Sequence, residues 1–286
     1  LIRPLPRRPA QRSAPHDGME TASLFQHPLF AATLSRLGAA PETVATPDGP
    51  VILTPRRFGP FRIAAALRAP ALSETSLRLL RRHGLRLCKP EVVAGLRAAG
   101  FRQVMTPAHV AELDLTGSAD ERRARMQPKW RGHLNRAGRA GLTLRDMAFQ
   151  GAAADWLIDR EGAMRTARRY HALHPDFARA WATTGSDAGR LFVAEQGGTP
   201  VAAMLMLRHG HRATYHLGWS GAKGRSVSAH HLLLTHAAGW LADRGITSLD
   251  LGTVDSTGNP GLATFNDGSG ARIRPLGGSW LAIPGL

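Results

Sequence analysis

The stretch Gly221-Ala222-Lys223-Gly224-Arg225-Ser226-Val227-Ser228-Ala229 sets two cations and two hydroxyls among small residues, after a strand-like segment and before a helix-like one. A strand that passes through such a loop into a helix aims backbone N–H groups and the positive end of the helix dipole at whatever occupies the loop. Phosphate is the matching chemistry. The spacing is not Gly-x-x-x-x-Gly-Lys-[Ser/Thr], which disfavours a nucleotide P-loop and leaves a pyrophosphate such as that of coenzyme A, which needs no metal. The same residues also suit a plain surface connection, and local composition does not choose between the two.

Other reactive groupings are weaker. Gly218-Trp219-Ser220-Gly221-Ala222 is close to the hydrolase elbow Gly-x-Ser-x-Gly, but the fifth residue is Ala and the helix starts about six residues too late for a nucleophile elbow. Among 13 histidines the tightest groups are His209-x-His211 and His230-His231. Neither is an i, i+4 pair beside a carboxylate, so turn or surface histidines are expected and no metal site. Cys88 is the one cysteine, which excludes an internal disulfide; in an apolar strand it packs as a small hydrophobe.

Charge adds a separate candidate. The 286 residues carry a formal net charge of +16, and with only Lys89, Lys129 and Lys223 as lysines the rest of the 37 cations are arginines. That bias, beside many Ala and Gly, fits GC-rich coding and weakens the general case for nucleic acid. It is concentrated, however, in residues 121–145, where Arg122, Arg123, Arg125, Lys129, Arg131, Arg136, Arg139 and Arg145 face Glu121 alone. With Trp130 among them, Lys129, Arg131, Arg136 and Arg139 are candidates for an RNA backbone; a solvated arginine-rich helix, or a surface for anionic lipid or glycan phosphate, is the competing reading.

These groups need elements to position them. Ser23–Leu37 has helical spacing closed by Gly38; a hairpin is expected about Pro47–Pro50; a helix over Ser73–His83 stops at Gly84 and leads to a strand at Leu85–Cys88. Pro90 is expected to open a helix ending at Gly100, before a strand at Phe101–Met105. Ser118 and Glu121 form a capping box, with a break at Pro128 and helix on to Gly141. Helices follow at about Ala152–Tyr170 and, after His174-Pro175, at Asp176–Trp181. Strands at Leu191–Glu195, Pro200–Leu207 and Ala213–Leu217 make an antiparallel meander. A loop over Trp219–Ser228, a helix to Asp243, a strand at Ile246–Leu251, a helical piece at Leu262–Phe265 and a strand at Arg272–Leu276 complete the order. No apolar run approaches the roughly 18 residues of a membrane span.

Several short stretches in a fixed order carry a resemblance: Phe25-Gln26-His27-Pro28, Lys129-Trp130-Arg131 through Arg136 to Leu142, Tyr215-His216-Leu217-Gly218-Trp219-Ser220, Leu249-Asp250-Leu251-Gly252 and Gly261 to Asn266. Together they are similar to Fem-type proteins and their relatives in the GNAT acyltransferase superfamily, over most of residues 23–280. The resemblance implies an α/β (α+β) fold of two tandem GNAT-like halves, each a mixed, mainly antiparallel sheet flanked by helices. It divides the chain into an N-terminal tail at 1–22, disordered or a mis-assigned start, a first half at 23–117, a basic helical bridge at 118–145 and an acyltransferase half at 146–286.

The implied reaction is direct attack of an amine on a thioester, or on an aminoacyl ester in the Fem branch, without a covalent enzyme intermediate. A splayed strand after Ala213 would offer backbone donors to the acyl carbonyl, and His216, Tyr215 or Asp255 would be the base that takes a proton from the acceptor amine; another group or water would protonate the leaving thiolate. Each has a plain alternative as sheet aromatic, solvent-facing residue or turn former. Leu217, Gly218, Lys223, Gly224, Arg225, Ser226, Val227 and Ser228 would hold the donor. Acyl-CoA, acetyl-CoA included, is the expected co-substrate, with no tightly bound cofactor; aminoacyl-tRNA on the basic bridge is the alternative, with a cell-envelope precursor as acceptor, and a binding-only descendant is a third class. The pattern departs from GNAT sequences at Arg225-Ser226-Val227-Ser228-Ala229-His230, where [Gln/Arg]-x-x-Gly-x-[Gly/Ala] is common, and where Phe265-Asn266 replaces a frequent acid tyrosine. A cytoplasmic location is expected.

Overall fold

The computed structural model describes residues 20–150, 152–168, 173, 175–185 and 187–282. Residues 1–19 of the expected tail, Tyr170 and His174 lie outside these. Two mixed sheets carry the fold. The first has the order β1-β2-β3-β4-β13-β5, built from β1 (Glu42–Thr46), β2 (Gly49–Phe58), β3 (Phe61–Ala69), β4 (Leu85–Pro90), β5 (Phe101–Met105) and β13 (Ser279–Ala282). The second has the order β12-β6-β11-β10-β9-β8-β7, built from β6 (His109–Asp114), β7 (Thr143–Ala148), β8 (Gly189–Gln196), β9 (Thr199–His209), β10 (Arg212–Ser220), β11 (Ser248–Val254) and β12 (Arg272–Pro275). Each sheet holds one parallel pair, β3 with β4 and β10 with β11. Each also takes a strand from the far end of the chain: β6 lies between β12 and β11, and β13 lies between β4 and β5.

The helices are α1 (Pro28–Arg36), α2 (Glu74–Arg82), α3 (Ala119–Ala124), α4 (Pro128–Gly138), α5 (Ala152–Arg168), α6 (Pro175–Thr184), α7 (Ala222–Ser226), α8 (Ala229–Ala242) and α9 (Pro260–Gly268). Local signals set their ends. Ser73 caps α2 by accepting from Ser76 N, and Gly84, at φ +83, follows its last turn. The capping box of α3 has both bonds, Ser118 N to Glu121 Oε2 at 2.6 Å and Glu121 N to Ser118 Oγ at 3.2 Å. No helix forms over 90–100. Pro90 is the last residue of β4, opposite Ala69, and Gly95 and Gly100, at φ +64 and +81, confine the following chain to single turns.

The β9 burial pattern is nearly continuous, as expected of a central strand covered on both faces. One face packs Leu233, Leu234 and Leu241 of α8 and Trp130 and Leu134 of α4. The other packs Phe30, Leu157, Phe177 and Trp181 from α1, α5 and α6. Side chains as fully buried as Trp181 and Phe177 contribute about 1.5–3 kcal/mol each, so these layers hold the second sheet on both sides. The first sheet packs Leu77 and Leu80 of α2 against Leu85, Phe101 and Trp280. Cys88 is wholly buried there, its thiol pushed up to about 12 by desolvation.

Gln26 joins the N-terminal segment to the first sheet: its amide donates to the Leu67 carbonyl at 2.8 Å and its carbonyl accepts from Ile52 N at 2.9 Å. His27 accepts from Leu29 N at the start of α1, with Pro28 as the first helical residue. The Gln-His-Pro stretch therefore does structural work. Glu20 packs on the β9–β10 turn, where its carbonyl accepts from His211 N at 2.8 Å. Between the sheets lies a network of Arg68, Arg212 and Arg274 with Glu91, Glu112 and Asp250. Burial would raise the Glu112 carboxyl, but hydrogen bonds and charge from Arg274 and Arg212 outweigh it and pull it down to about 2.

Candidate active site

The parallel ladder between β10 and β11 is three residues long: Arg212, Ala213 and Thr214 face Ser248, Leu249 and Asp250. Both strands bulge where it stops. The β10–β9 register shifts between Tyr215 and Leu217, leaving His216 extra, and the β11–β6 register shifts between Asp250 and Thr253, with Gly252 at φ +90. A bulge bends its strand and ends local pairing, so two adjacent bulges part the strands into a wedge. Backbone N–H groups of β10 beyond Thr214 have no β11 partner to satisfy, which makes them donors for a carbonyl placed between the strands.

The bulge also sorts the candidate side chains. Tyr215 packs on the α4–α8 face, half-buried, with its hydroxyl lying over Gly218: a Cβ added there would sit 1.7 Å from Tyr215 Oη. Burial raises the phenol well above its ordinary range, so it stays protonated. His216 instead meets the Phe177 ring, 5.8 Å between centroids, on the α5–α6 face that also receives Leu217. Burial lowers its imidazole to about 4, so it is neutral at neutral pH. Asp255 is exposed just after β11, and its carboxylate accepts from Thr257 N at 3.0 Å and Gly258 N at 2.7 Å. It forms an Asx-type turn.

The donor loop is not a loop. Its centre is α7, a single helical turn whose Gly224 lies against β9; an added Cβ would be 2.2 Å from the Val201 carbonyl oxygen. Gly221 N donates to the same oxygen at 3.0 Å. Two of the side chains expected to hold phosphate are exposed but bonded to nearby backbone, and two others pack inward. Arg225 donates to the Ser220 carbonyl, and Ser226 Oγ to the Lys223 carbonyl at 2.8 Å. Val227 packs half-buried on the α8 core. Ser228 is buried in a left-handed conformation, its Oγ 3.0 Å from His133 Nδ1. The Lys223 side chain remains exposed, with no hydrogen bond or ion pair among the described residues. Ala229 and His230 then open α8, whose first-turn N–H groups lack intrahelical acceptors.

The histidines expected at surfaces or turns are largely enclosed. His209 is buried beside Trp181 and bonds Thr214 Oγ1 at 2.9 Å; desolvation lowers it to about 3. His231 stacks on His133 and packs against Trp130; burial, then the charge of His133, lowers it to about 4. Among the described residues no His, Cys, Asp and Glu side chains group as metal ligands.

The basic bridge divides in two. Arg122, Arg125 and Arg131 donate to nearby backbone carbonyls of Leu115, Asp114 and Met126, and Trp130 is buried with its Nε1 on the Phe265 carbonyl at 3.0 Å. Trp130 is therefore a packing anchor and is not presented to a nucleic acid. Lys129, Arg136 and, just past the end of α4, Arg139 are exposed, their side chains have no hydrogen bond or ion pair among the described residues, and they share one side around Gly132 at i, i+7 and i+10. Gly132, Asn135, Arg136, Arg139 and Ala140 line a groove there. Arg131 lies off this stripe.

A family model described as an acetyltransferase (GNAT) domain matches residues 121–260. Among solved structures, FemX superposes with a TM-score of 0.76 at 12% identity, covering 93% of this chain and 94% of that one. The fold is that of the FemAB-like GNAT acyltransferases. The C-terminal domain of a putative lysylphosphatidylglycerol synthetase from Agrobacterium fabrum gives 0.61 at 16% identity, covering 93% and 89%. A tandem GNAT protein from the clavulanic acid biosynthesis pathway gives 0.50 at 15% identity, covering 93% and 92%. No curated protein matches the sequence. In this GNAT fold the wedge belongs to the second half. Sequence reasoning did not single out Asp250 and Gly252, which shape that wedge, although Leu249-Asp250-Leu251-Gly252 was part of the resemblance and a glycine inside a strand signals a bulge.

Proposed function

We propose that the protein is an N-acyltransferase that passes an acyl group from acyl-CoA to an amine by direct attack at the β10–β11 wedge. The observation that carries this reading is the three-residue ladder ended by two adjacent bulges. The thioester carbonyl lies between the strands, on the unpaired N–H groups after Thr214. The amine nitrogen attacks that carbon from the α5–α6 side, forming the C–N bond, and gives its proton to the neutral His216 imidazole. The C–S bond then breaks, and the departing thiolate takes its proton from water, while the Tyr215 hydroxyl on the opposite face stays protonated. Lys223 and the helix N-termini attract the pyrophosphate. The acceptor is a small-molecule or envelope-precursor amine in the cytoplasm.

A second reading, with aminoacyl-tRNA as donor, is favoured by the unpaired stripe of Lys129, Arg136 and Arg139. Titration calorimetry with acetyl-CoA and longer acyl-CoA esters separates the two. Saturable binding to a CoA ester, weakened when Lys223 is changed to Ala, supports the first. No binding to any CoA ester, together with retention of aminoacyl-tRNA lost on neutralising that stripe, overturns it in favour of the second.

A further inference from the structure

Asp250 occupies a singular place in β11. It is the last residue of the parallel ladder, opposite Thr214. Its Oδ1 accepts from Gly252 N at 2.7 Å, two residues on, across the bulge. Its Oδ2 is ion-paired at 3.1 Å with Arg68 of the first sheet. Arg68 itself stands at φ +49, at a register irregularity between Leu67 and Ala69 of β3. The carboxylate of this buried residue, 8% exposed as a whole, thus touches the backbone that departs from β10 and the sheet that lies behind it.

A strand continues in register where its N–H groups find partners on the neighbouring strand. At Gly252 the N–H has been taken by a side chain of its own strand, and the glycine adopts a φ that other residues rarely hold. The short side chain of Asp is suited to this, because its oxygen reaches the N–H two residues on. Arg68 fixes the carboxylate from outside the second sheet.

We propose that Asp250 is a positioning residue: by holding Gly252 N–H and being held by Arg68, it keeps β11 bent away from β10 and sets the width of the acyl-donor wedge. The donor part of this proposal rests on the wedge being the donor site; the backbone part does not. Asp250 touches neither the donor nor the acceptor, so it acts through β11.

Amide hydrogen exchange on the apo protein tests the backbone part directly. In Asp250→Ala the Gly252 amide is expected to exchange at least tenfold faster, with altered protection over Tyr215–Gly218 on the facing strand. Asp250→Asn keeps an oxygen for Gly252 N–H and is expected to restore slow Gly252 exchange. Steady-state kinetics then reads the donor part: Asp250→Ala raises the donor KM about tenfold and leaves the acceptor KM within twofold, with partial rescue in Asp250→Asn. Unchanged exchange at Gly252 in Asp250→Ala overturns the proposal, as does an equal rise in both KM values. If Asp250→Ala does not fold, Arg68→Met tests the outer contact by the same readouts, and wild-type exchange at Gly252 and Tyr215–Gly218 there overturns the role given to Arg68. A wild-type protein that binds no acyl donor removes the proposed function, while the exchange data still decide whether Asp250 holds the bend.

Discussion

The pairs β3–β4 and β10–β11 are set in the same surroundings. Each follows an antiparallel meander, each encloses a helical connection, and each is the parallel pair of its sheet. They end differently. In the first sheet the ladder runs from Ala64 opposite Leu85 to Ala69 opposite Pro90, across two irregularities. In the second it stops at Thr214, and the strands part. The helix starts differ in the same sense. At α2 the N-terminus is covered by the chain itself: Ser73 caps it, Asp48 accepts from Ser73 N at 2.7 Å, and Gly95 packs so closely that an added Cβ would be 2.7 Å from Glu74 N. At α7 the exposed Lys223 stands in the first turn. Among the described residues, one parallel pair has thus been closed by its own chain and the other left open.

Breaking the open unit should cost the most. His216→Ala is expected to lower kcat about 10²- to 10⁴-fold, the usual range for removing a proton-transfer group, with Tm changed far less; activity at wild-type level would remove His216 from the mechanism. The pH dependence sharpens the point. The folded-state pKa of His216 lies below the ordinary 6.5, so the unfolded chain takes up the proton first as the pH falls. The contribution of neutral His216 to stability is complete above about pH 6.5 and is lost as the pH falls from there towards 4; His231 adds in the same window, and His209, at about 3, extends it lower. Thermal unfolding between pH 4 and 8 should give a Tm that is level at the top and declines below 6.5, while kcat shows no inflection near 6.5.

The closed unit should respond in stability alone. Gly95 combines φ +64 with backbone closer to its Cβ position than real Cβ atoms allow, so Gly95→Ala should cost about 2–4 kcal/mol. Denaturant titration measures this, and donor affinity under folding conditions should be unchanged. A loss of donor affinity equal to that of Lys223→Ala would mean that the two units are coupled.

A smaller effect belongs to the bridge. Replacing Lys129, Arg136 and Arg139 with Gln should weaken binding to a single-stranded RNA and reduce the slope of log affinity against log salt by about 2, near 0.7 per lost phosphate contact. Arg131→Gln should leave that slope unaltered, because its guanidinium is engaged with the Met126 carbonyl. Equal slopes in all variants would make the stripe a solvated surface. The smallest effect is expected at Asp255. With its carboxylate committed to Thr257 N and Gly258 N, Asp255→Ala should stay within about twofold of wild-type kcat while loosening the turn; a hundredfold loss would return Asp255 to the reaction.

Much of the framework was legible because its signals are local. The Ser118–Glu121 capping box, the break at Pro128, the meander over β8 to β10 and the stop at Gly84 each depend on residues a few positions apart. The helix expected after Pro90 failed for a non-local reason: Pro90 is paired with Ala69 on β3. The loop expected over Trp219–Ser228 holds a helical turn for another, since Gly224 is drawn into α7 by its fit against the Val201 carbonyl on β9. His209 looked like a turn residue because Gly210 follows it, yet its ring is enclosed by Trp181 and Thr214 from other elements.

The sequence by itself determined the β8–β9–β10 meander and the helix and strand that follow it, the absence of an internal disulfide and the placement of its densest positive charge on helices, all of which depend on composition or on neighbours along the chain. It also put Tyr215 and His216 within a strand. Only the tertiary structure decided that the strand opens there. The bulges are registered against β9 and β6, and the Gly252 amide is held by a carboxylate that an arginine 182 residues earlier in the chain secures. Whether a backbone N–H continues a ladder or turns to a ligand depends on which partner reaches it first in space, and distance along the chain carries no record of that.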